Sequence, residues 1–511
     1  MGVSLLMSKP RAPVSSTQRL LLVVTVILIF LMAARTPLDS DMWWHLRAGE
    51  QTLRDGRPLL VDVFSHTRYG AAWINHSWLS QVGMALLYRW GGFLALGGAM
   101  ALLATLSMAL ALAQCHGPAA LKSAALVLGG VVASVVWGPR PQLASLVLLA
   151  AVGYVLYLWK WRRVNRLWLL PPLFWLWSNL HGGYALGFLL IGFALAGEIL
   201  NLTLRLPVEA PISRRGLGIL ALWTGLSALT ILINPNGLGV WRIPFQTVNV
   251  GALQQFISEW SSPDFHDPLQ QALLVLLFAV FASAALMGRP IDGADLTVVV
   301  GFALLALVAR RNFGPFALVA VPVLTRCADC AVQSWQARAP WPTWAMRLWS
   351  GESAPVGRGA WAFRAVNLAL AGVLIFAALI KLYAVTYPAL VYAYLGQQAP
   401  ARAAAWLEQH PMPELRLINE YNWGGYLVWA LPHTPVFVDG RTDLFGDEVI
   451  GDWIIAVQAG AGWEQTLQKW DVGMALLEPD RPLAAKLREQ GWRLLYQDDQ
   501  AVIYADPRKL R

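Results

Sequence analysis

Charge is what this sequence has least of. Only 14% of its 511 residues are Asp, Glu, Lys or Arg, against roughly 25% in an ordinary soluble domain. With 57% of residues hydrophobic and a mean hydropathy of +0.49, there is too little polar surface to coat a globule of this size in water. A soluble multidomain enzyme is excluded, and so is disorder, which requires low hydrophobicity. Cysteine is scarce too. Three cysteines cannot build a disulfide framework. The Cys327–Cys330 CxxC has neither a second pair nor a histidine pattern beside it and is read as incidental.

What is present is a basic excess, and its position decides its meaning. The net charge is +9, which by itself invites a nucleic-acid partner. Residues 1–383 hold 28 Lys+Arg against 14 Asp+Glu, net +14, whereas residues 384–511 hold 11 against 16, net −5. The excess lies wholly in the apolar part, where arginines beside apolar spans mark cytoplasmic helix ends. The expected partner is membrane lipid, and no nucleic acid.

Apolar runs long enough to cross ~30 Å of hydrocarbon occupy residues 20–34, 93–112, 119–136, 143–159, 167–180, 184–200, 217–233, 270–287, 296–309, 313–324 and 366–383. If these eleven alternate, Lys9, Arg11 and Arg19, the run KWRRVNR at 160–166, Arg205, Arg214 and Arg215, and Arg326, Arg338, Arg347 and Arg358 all fall on one side. By the positive-inside bias that side is the cytoplasm. The expectation is a multipass protein of a bacterial inner membrane, its N-terminus cytoplasmic and its C-terminal part periplasmic. Most of the spans are expected to be free of buried charge, with Glu198 and Lys381 lying near helix ends.

Residues 384–511 are a different material, charged and patterned as short strands at 415–418, 436–438, 472–477, 493–496 and 501–504. Helical patterns lie between them at 401–409, 447–459, 463–470 and 482–490. The fold class is therefore an α-helical polytopic membrane protein of about 11 transmembrane helices with a small C-terminal α/β extracytoplasmic domain. A transmembrane bundle spans 1–383, with a first outer loop at 35–90, and a soluble periplasmic domain spans 384–511.

Nearly all the unusual polar residues land on the outer face. The first outer loop opens with DSDMWWHLRAG, in which Asp39 and Asp41 stand two apart at a membrane boundary before the interfacial anchors Trp43 and Trp44. If residues 42–53 form a helix lying on the membrane, Asp41 is at its N-cap and His45 lies one turn on, facing the same way. One reading is a capped interfacial helix. The other is a carboxylate acting as general base on an acceptor hydroxyl, or a site in which Asp39, Asp41 and His45 hold a divalent metal such as Mg or Mn.

Taken together, an Asp-bearing first outer loop, a helical bundle and a C-terminal extracytoplasmic domain resemble the GT-C superfamily of polyprenyl-phosphate-dependent glycosyltransferases. DSDMWWHLRAG is similar to the acidic first-loop segment of the oligosaccharyltransferase catalytic subunit, whose second acidic residue maps to Asp41 and whose arginine maps to Arg47. NEYNWGGYLVW at 419–429 echoes the W-W-D-Y-G motif of that family, without a clear equivalent of its Asp. The chain also resembles uncharacterised bacterial membrane proteins carrying D-x-W-W-H-L and W-G-G-Y-L…D-G-R strings. The family resemblance implies a membrane glycosyltransferase that moves a sugar or glycan from a polyprenyl-phosphate donor to an extracytoplasmic acceptor, with Asp41 as base or metal ligand and Asp39 assisting.

Such a transfer leaves an anion at the membrane surface, which calls for a cation beside it. Arg310 and Arg311, adjacent and outward against the positive-inside bias, are candidates for the lipid phosphate, as is Arg140 in GPRPQ. His76 and His181 are outward residues near helix ends that either complete a metal site or serve as hydrogen-bonded packing groups. Glu259, Asp264 and His266 lie in the loop 234–268, which in the GT-C layout folds over the active site. In VFVDGRTDLFGDE, Arg441 stands between Asp439 and Asp443 and either contacts an acceptor or closes an ion-paired turn. Trp423, Tyr421 and Tyr426 offer aromatic faces for a sugar or for the bilayer interface. Two other functional classes fit the composition: a transporter or flippase for a lipid-linked envelope intermediate, and a non-enzymatic scaffold of an envelope polysaccharide system.

Overall fold

The structure, a computed structural model, describes residues 16–245, 259–350 and 360–510. Lys9, Arg11 and Arg358, used above for orientation, and residues 246–258 of the expected covering loop lie outside the described residues.

Each of the eleven apolar runs forms a helix. In chain order the helices are α1 (Ser16–Ala33), α2 (Met42–Asp55), α3 (Trp78–Leu112), α4 (Ala119–Ala133), α5 (Gln142–Lys160), α6 (Leu170–Leu180) and α7 (Tyr184–Thr203). There follow α8 (Arg214–Thr230), α9 (Pro268–Leu286), α10 (Gly293–Val308), α11 (Phe313–Arg338), α12 (Thr343–Ser350) and α13 (Ala360–Val385). Among the described residues, eight helices are long and apolar enough to cross a membrane. The runs in α6, α8 and α10 form helices of 11, 17 and 16 residues and fall short of that length. Leu368 and Phe376 on α13 are 74% and 64% exposed, an apolar surface of the kind that lipid covers. The chain is a multipass membrane protein.

Two features depart from the sequence reading. Helix α3 extends well before its apolar run and breaks at Gly91–Gly92, where Gly92 takes φ 55° and ψ −140°, a conformation closed to residues bearing a β-carbon. Buried charge is also present inside the bundle. Lys160 bonds to Glu198 and, at 2.8 Å, to Asp292, while Arg326 grips Asp295 at 2.5 and 2.9 Å. These groups flank a cavity of about 90 Å³ lined by Gln114, Glu198 and Asp295. Lys160, Asp292 and Asp295 sit at helix ends and Glu198 near one, whereas Arg326 lies midway along α11; all are largely taken out of solvent and paired with one another.

Beyond α13 come α14 (Pro388–Gln398), α15 (Ala401–Gln409), β1 (Arg416–Asn419), α16 (Tyr421–Ala430), α17 (Thr442–Val457), α18 (Trp463–Lys469), β2 (Val472–Leu477), α19 (Pro482–Glu489), β3 (Arg493–Gln497) and β4 (Val502–Ala505). The strands make one mixed sheet in the order β1-β2-β4-β3, with β1 parallel to β2 and the other pairs antiparallel. Four of the five expected strands form. The fifth, 436–438, makes only an isolated bridge, and its partner is Ser65 of the first outer loop.

That bridge belongs to a clasp between the two ends of the chain. His66 N–H donates to the Val436 carbonyl at 3.0 Å, Val436 N–H to the Phe64 carbonyl at 3.0 Å, and Thr67 Oγ1 to the Phe437 carbonyl at 2.6 Å. His66 Nε2 donates to the Leu417 carbonyl on β1 at 2.9 Å. At its centre Arg441, fully buried, bonds to Asp62 at 2.6 Å and Asp439 at 2.7 Å. Its guanidinium lies 5.0 Å from the Trp73 ring centroid and 5.2 Å from that of Phe64. The clasp holds the DSDMWW segment against the C-terminal elements.

Candidate active site

Asp41 occupies the N-cap position of α2, as expected, but its side chain does not cap the helix. Its carboxylate turns to other partners. Oδ1 accepts from Trp44 Nε1 at 3.1 Å, and Oδ2 lies 3.0 Å from Arg140 Nη1. Asp39 accepts the Asp41 backbone N–H at 2.8 Å and Arg140 Nε at 2.5 Å. Glu259 places Oε1 2.9 Å from the same Arg140 Nη1. Two acids of the first outer loop and a third more than 200 residues on thus share one guanidinium.

Local backbone chemistry aims Arg140 there. It sits between Pro139 and Pro141, whose rings fix their own φ angles, with Pro141 at the N-cap of α5, and its N–H closes a short turn onto the Gly138 carbonyl at 2.8 Å. The Glu259 segment is docked by two backbone bonds, Arg310 N–H to the Ser261 carbonyl at 3.2 Å and Arg311 N–H to the Glu259 carbonyl at 3.1 Å. The Arg311 guanidinium lies 4.0 Å from the Trp260 ring centroid, a cation–π arrangement. Glu259, Arg310 and Arg311 are therefore brought together with Asp39, Asp41 and Arg140.

Burial raises the Asp41 carboxyl to about 7, with Arg140 opposing the shift and Asp39 and Glu259 adding to it. About one fifth of the Asp41 side chain remains open to solvent. Arg140 is held well above its ordinary value: Asp39, Asp41 and Glu259 outweigh the effect of burial. Such a carboxyl, half-ionised near neutrality and partly accessible, has the properties of a general base.

A histidine pair flanks this cluster, its rings 5.5 Å apart. His76 Nδ1 accepts Gly182 N–H at 3.2 Å and His181 Nδ1 accepts Gly183 N–H at 3.1 Å. An accepting Nδ1 places the proton on Nε2, so each ring offers an Nε2–H donor. Burial pushes both imidazoles down, with Arg311 adding to the effect on each, and so disfavours their charged forms. His45 is also pushed well below its usual range by burial. It does not join the carboxylates as a ligand: its Nδ1 accepts from Gln81 at 3.3 Å and its ring lies on Trp44.

The expected metal set does not fit this geometry. Among the described residues, no three His, Cys, Asp or Glu side chains are grouped to hold an ion. Oxygens of Asp39 and Asp41 are bonded to Arg140, and none of the Asp39, Asp41 or Glu259 oxygens is left buried without a partner.

The remaining candidates lie elsewhere or are packed away. Asp439 and Arg441 form the buried clasp, so of the two readings of that turn the ion pair is realised. Trp423 is 4% exposed within an apolar core, and Tyr426 packs edge-on against Trp43 at 5.4 Å. Trp423 is thus buried and Tyr426 half-buried in aromatic packing. Asp264 accepts His266 N–H in a local turn. Arg47 pairs with Glu50 at 3.6 Å. Tyr421, offered above as an aromatic face, is part of this region: its hydroxyl bonds to Thr442 at 2.8 Å, and burial, with Asp41 adding to it, raises its phenol.

No family model matches the chain, and no curated protein matches its sequence. Solved structures do match. The archaeal oligosaccharyltransferase AglB from Archaeoglobus fulgidus, in complex with an inhibitory peptide and a dolichol-phosphate, aligns with a TM-score of 0.56 at 12% identity over 96% of this chain and 75% of that one. A mutant form of the arabinofuranosyltransferase AftD from Mycobacteria aligns with a TM-score of 0.52 at 16% identity over 97% of this chain and 42% of that one. Over nearly its whole length, this chain has the fold of the GT-C glycosyltransferases.

Proposed function

We propose that the protein is a membrane glycosyltransferase that moves a sugar or glycan from a polyprenyl-phosphate donor to an extracytoplasmic acceptor. The observation that carries this reading is the convergence of Asp39, Asp41, Glu259 and Arg140 where the bundle meets the C-terminal elements, in a chain whose fold matches a dolichol-phosphate-bound oligosaccharyltransferase. The layout is a bundle at 1–383, crossing the membrane about eleven times with its N-terminus in the cytoplasm, and a periplasmic domain at 384–511.

Asp41 acts as the base. It takes the proton of the acceptor hydroxyl as the hydroxyl oxygen bonds to the anomeric carbon, and the carbon–oxygen bond to the lipid phosphate breaks with its electron pair leaving on the phosphate. Asp39 holds Arg140 beside Asp41 and so sets the carboxylate's direction. Arg311, with Arg310, faces the lipid phosphate as negative charge gathers there, and the Nε2–H groups of His76 and His181 supply neutral donors on the same side.

The test compares lipid-linked and surface glycans in cells carrying the wild-type gene, no gene, or Asp41→Asn. Loss of the gene should cause a lipid-linked sugar to accumulate and a surface glycan to disappear. Asp41→Asn should reproduce that loss at unchanged membrane abundance, with transfer down by roughly 10²–10⁴-fold. Full transfer by Asp41→Asn sinks the role given to this residue. An unchanged glycan profile without the gene sinks the enzyme reading in favour of transport or scaffolding.

A further inference from the structure

The acids that a divalent ion would need already share a cation. Arg140 gives Nε to Asp39 at 2.5 Å and places Nη1 3.0 Å from Asp41 and 2.9 Å from Glu259. The remaining Asp41 oxygen accepts from Trp44 Nε1, and Asp39 Oδ1 also receives the Asp41 N–H. The three carboxylates and Arg140 sum to −2 when all are ionised, an excess that calls for neutralisation. Arg311, in electrostatic contact with both Glu259 and Arg140, removes part of it. Protonation of Asp41, whose carboxyl sits at about 7, removes part of the rest.

We infer that Arg140 is the resident cation of this site, its guanidinium filling the place among Asp39, Asp41 and Glu259 that a divalent ion would take, so that these acids bind no metal while Arg140 is present. A guanidinium fits this role because its planar fork engages several carboxylates at fixed angles and stays charged at every working pH. The charge is built into the chain. It is carried by a turn between two prolines, so the site is set when the chain folds and not when an ion arrives.

The test reads ion binding and so stands apart from the proposed glycosyl transfer: a protein without transferase activity would still answer it. Full-length protein in lipid nanodiscs is titrated with Mn²⁺ and free Mn²⁺ is followed by electron paramagnetic resonance. Wild type should show no saturable site. Arg140→Ala should gain one, which a second change, Asp41→Asn, removes. Arg140→Lys should stay without a site, because an ammonium keeps the charge. If Arg140→Ala is not recovered as a monodisperse protein, Arg140→Gln, neutral and similar in length, takes its place. A saturable Mn²⁺ site in wild type that Asp41→Asn abolishes overturns the inference. So does a folded neutral variant at position 140 that gains no site.

Discussion

The Asp41 carboxylate rests on the backbone of Gly440: a β-carbon built on that glycine would stand 1.7 Å from Asp41 Oδ1 and 3.2 Å from Trp44 Nε1. The neighbouring contact repeats the pattern, since a β-carbon on Gly425 would meet the Ser40 carbonyl at 2.2 Å. The D-x-W-W, W-G-G-Y and D-G-R strings therefore form one assembly, in which two glycines admit the acidic segment.

Gly440→Ala should displace Asp41 or force the backbone apart. Overpacking of this type costs about 1–3 kcal/mol, and the displaced carboxylate should lose much of its transfer activity. Thermal unfolding and glycan transfer, measured together, check both parts. Gly451→Ala is the control, because a β-carbon there meets nothing within 4 Å. Equal behaviour of the two variants would mean that the close contact is not maintained in the working protein.

The pH dependence follows from the Asp41 carboxyl at about 7. A base must be ionised to accept a proton, so transfer should rise about tenfold per pH unit below 7 and level off above it. His45, His76 and His181 are all pushed down. Their charged forms are disfavoured, which moves their titration away from the Asp41 limb. Initial rates at constant ionic strength, between about pH 5 and 8, provide the measurement. A flat profile there would remove Asp41 from the base role.

Much of this was legible in the sequence, and the failures have physical causes. Each of the eleven apolar runs marks a helix, because burial in lipid needs only length and hydrophobicity. The same runs did not reveal that α6, α8 and α10 are short. Asp41 and Arg140 were both singled out, yet their pairing was invisible: Arg140 was assigned to lipid phosphate, and only the folded chain brings Asp39, Asp41 and Glu259 to its guanidinium. The 436–438 run has the apolar character of a strand, but its partner is Ser65, far away in the sequence. Lys160 and Glu198 lie near helix ends, where charge reads as solvated; their mutual burial depends on how α5 and α7 pack.

Arg311 separates binding of the lipid phosphate from structural support. Its backbone N–H docks the Glu259 carbonyl whatever the side chain, so Arg311→Ala should leave that docking in place while removing the guanidinium stacked on Trp260. Loss of one donor at a developing anion costs roughly 10²–10³ in rate. Polyprenyl monophosphate should also compete less well in a binding assay on the same variant. Wild-type affinity for that lipid in Arg311→Ala would place the phosphate elsewhere.

Arg441 supports the site without belonging to its chemistry. Its side chain and those of Asp62 and Asp439 are fully buried, so Arg441→Ala leaves two buried carboxylates without their countercharge. Breaking a buried ion pair in this way costs about 3–5 kcal/mol. Because Asp62 lies in the first outer loop and Asp439 beside Gly440, the loss should loosen the clasp and the Asp41 contact together. Unfolding temperature should fall, and hydrogen exchange should quicken at both residues 62–68 and 436–442. The triple variant Asp62→Asn, Asp439→Asn, Arg441→Met carries no uncompensated charge and should recover much of the stability. If Arg441→Ala alone unfolds at the wild-type temperature, the clasp does not hold the two ends of the chain together.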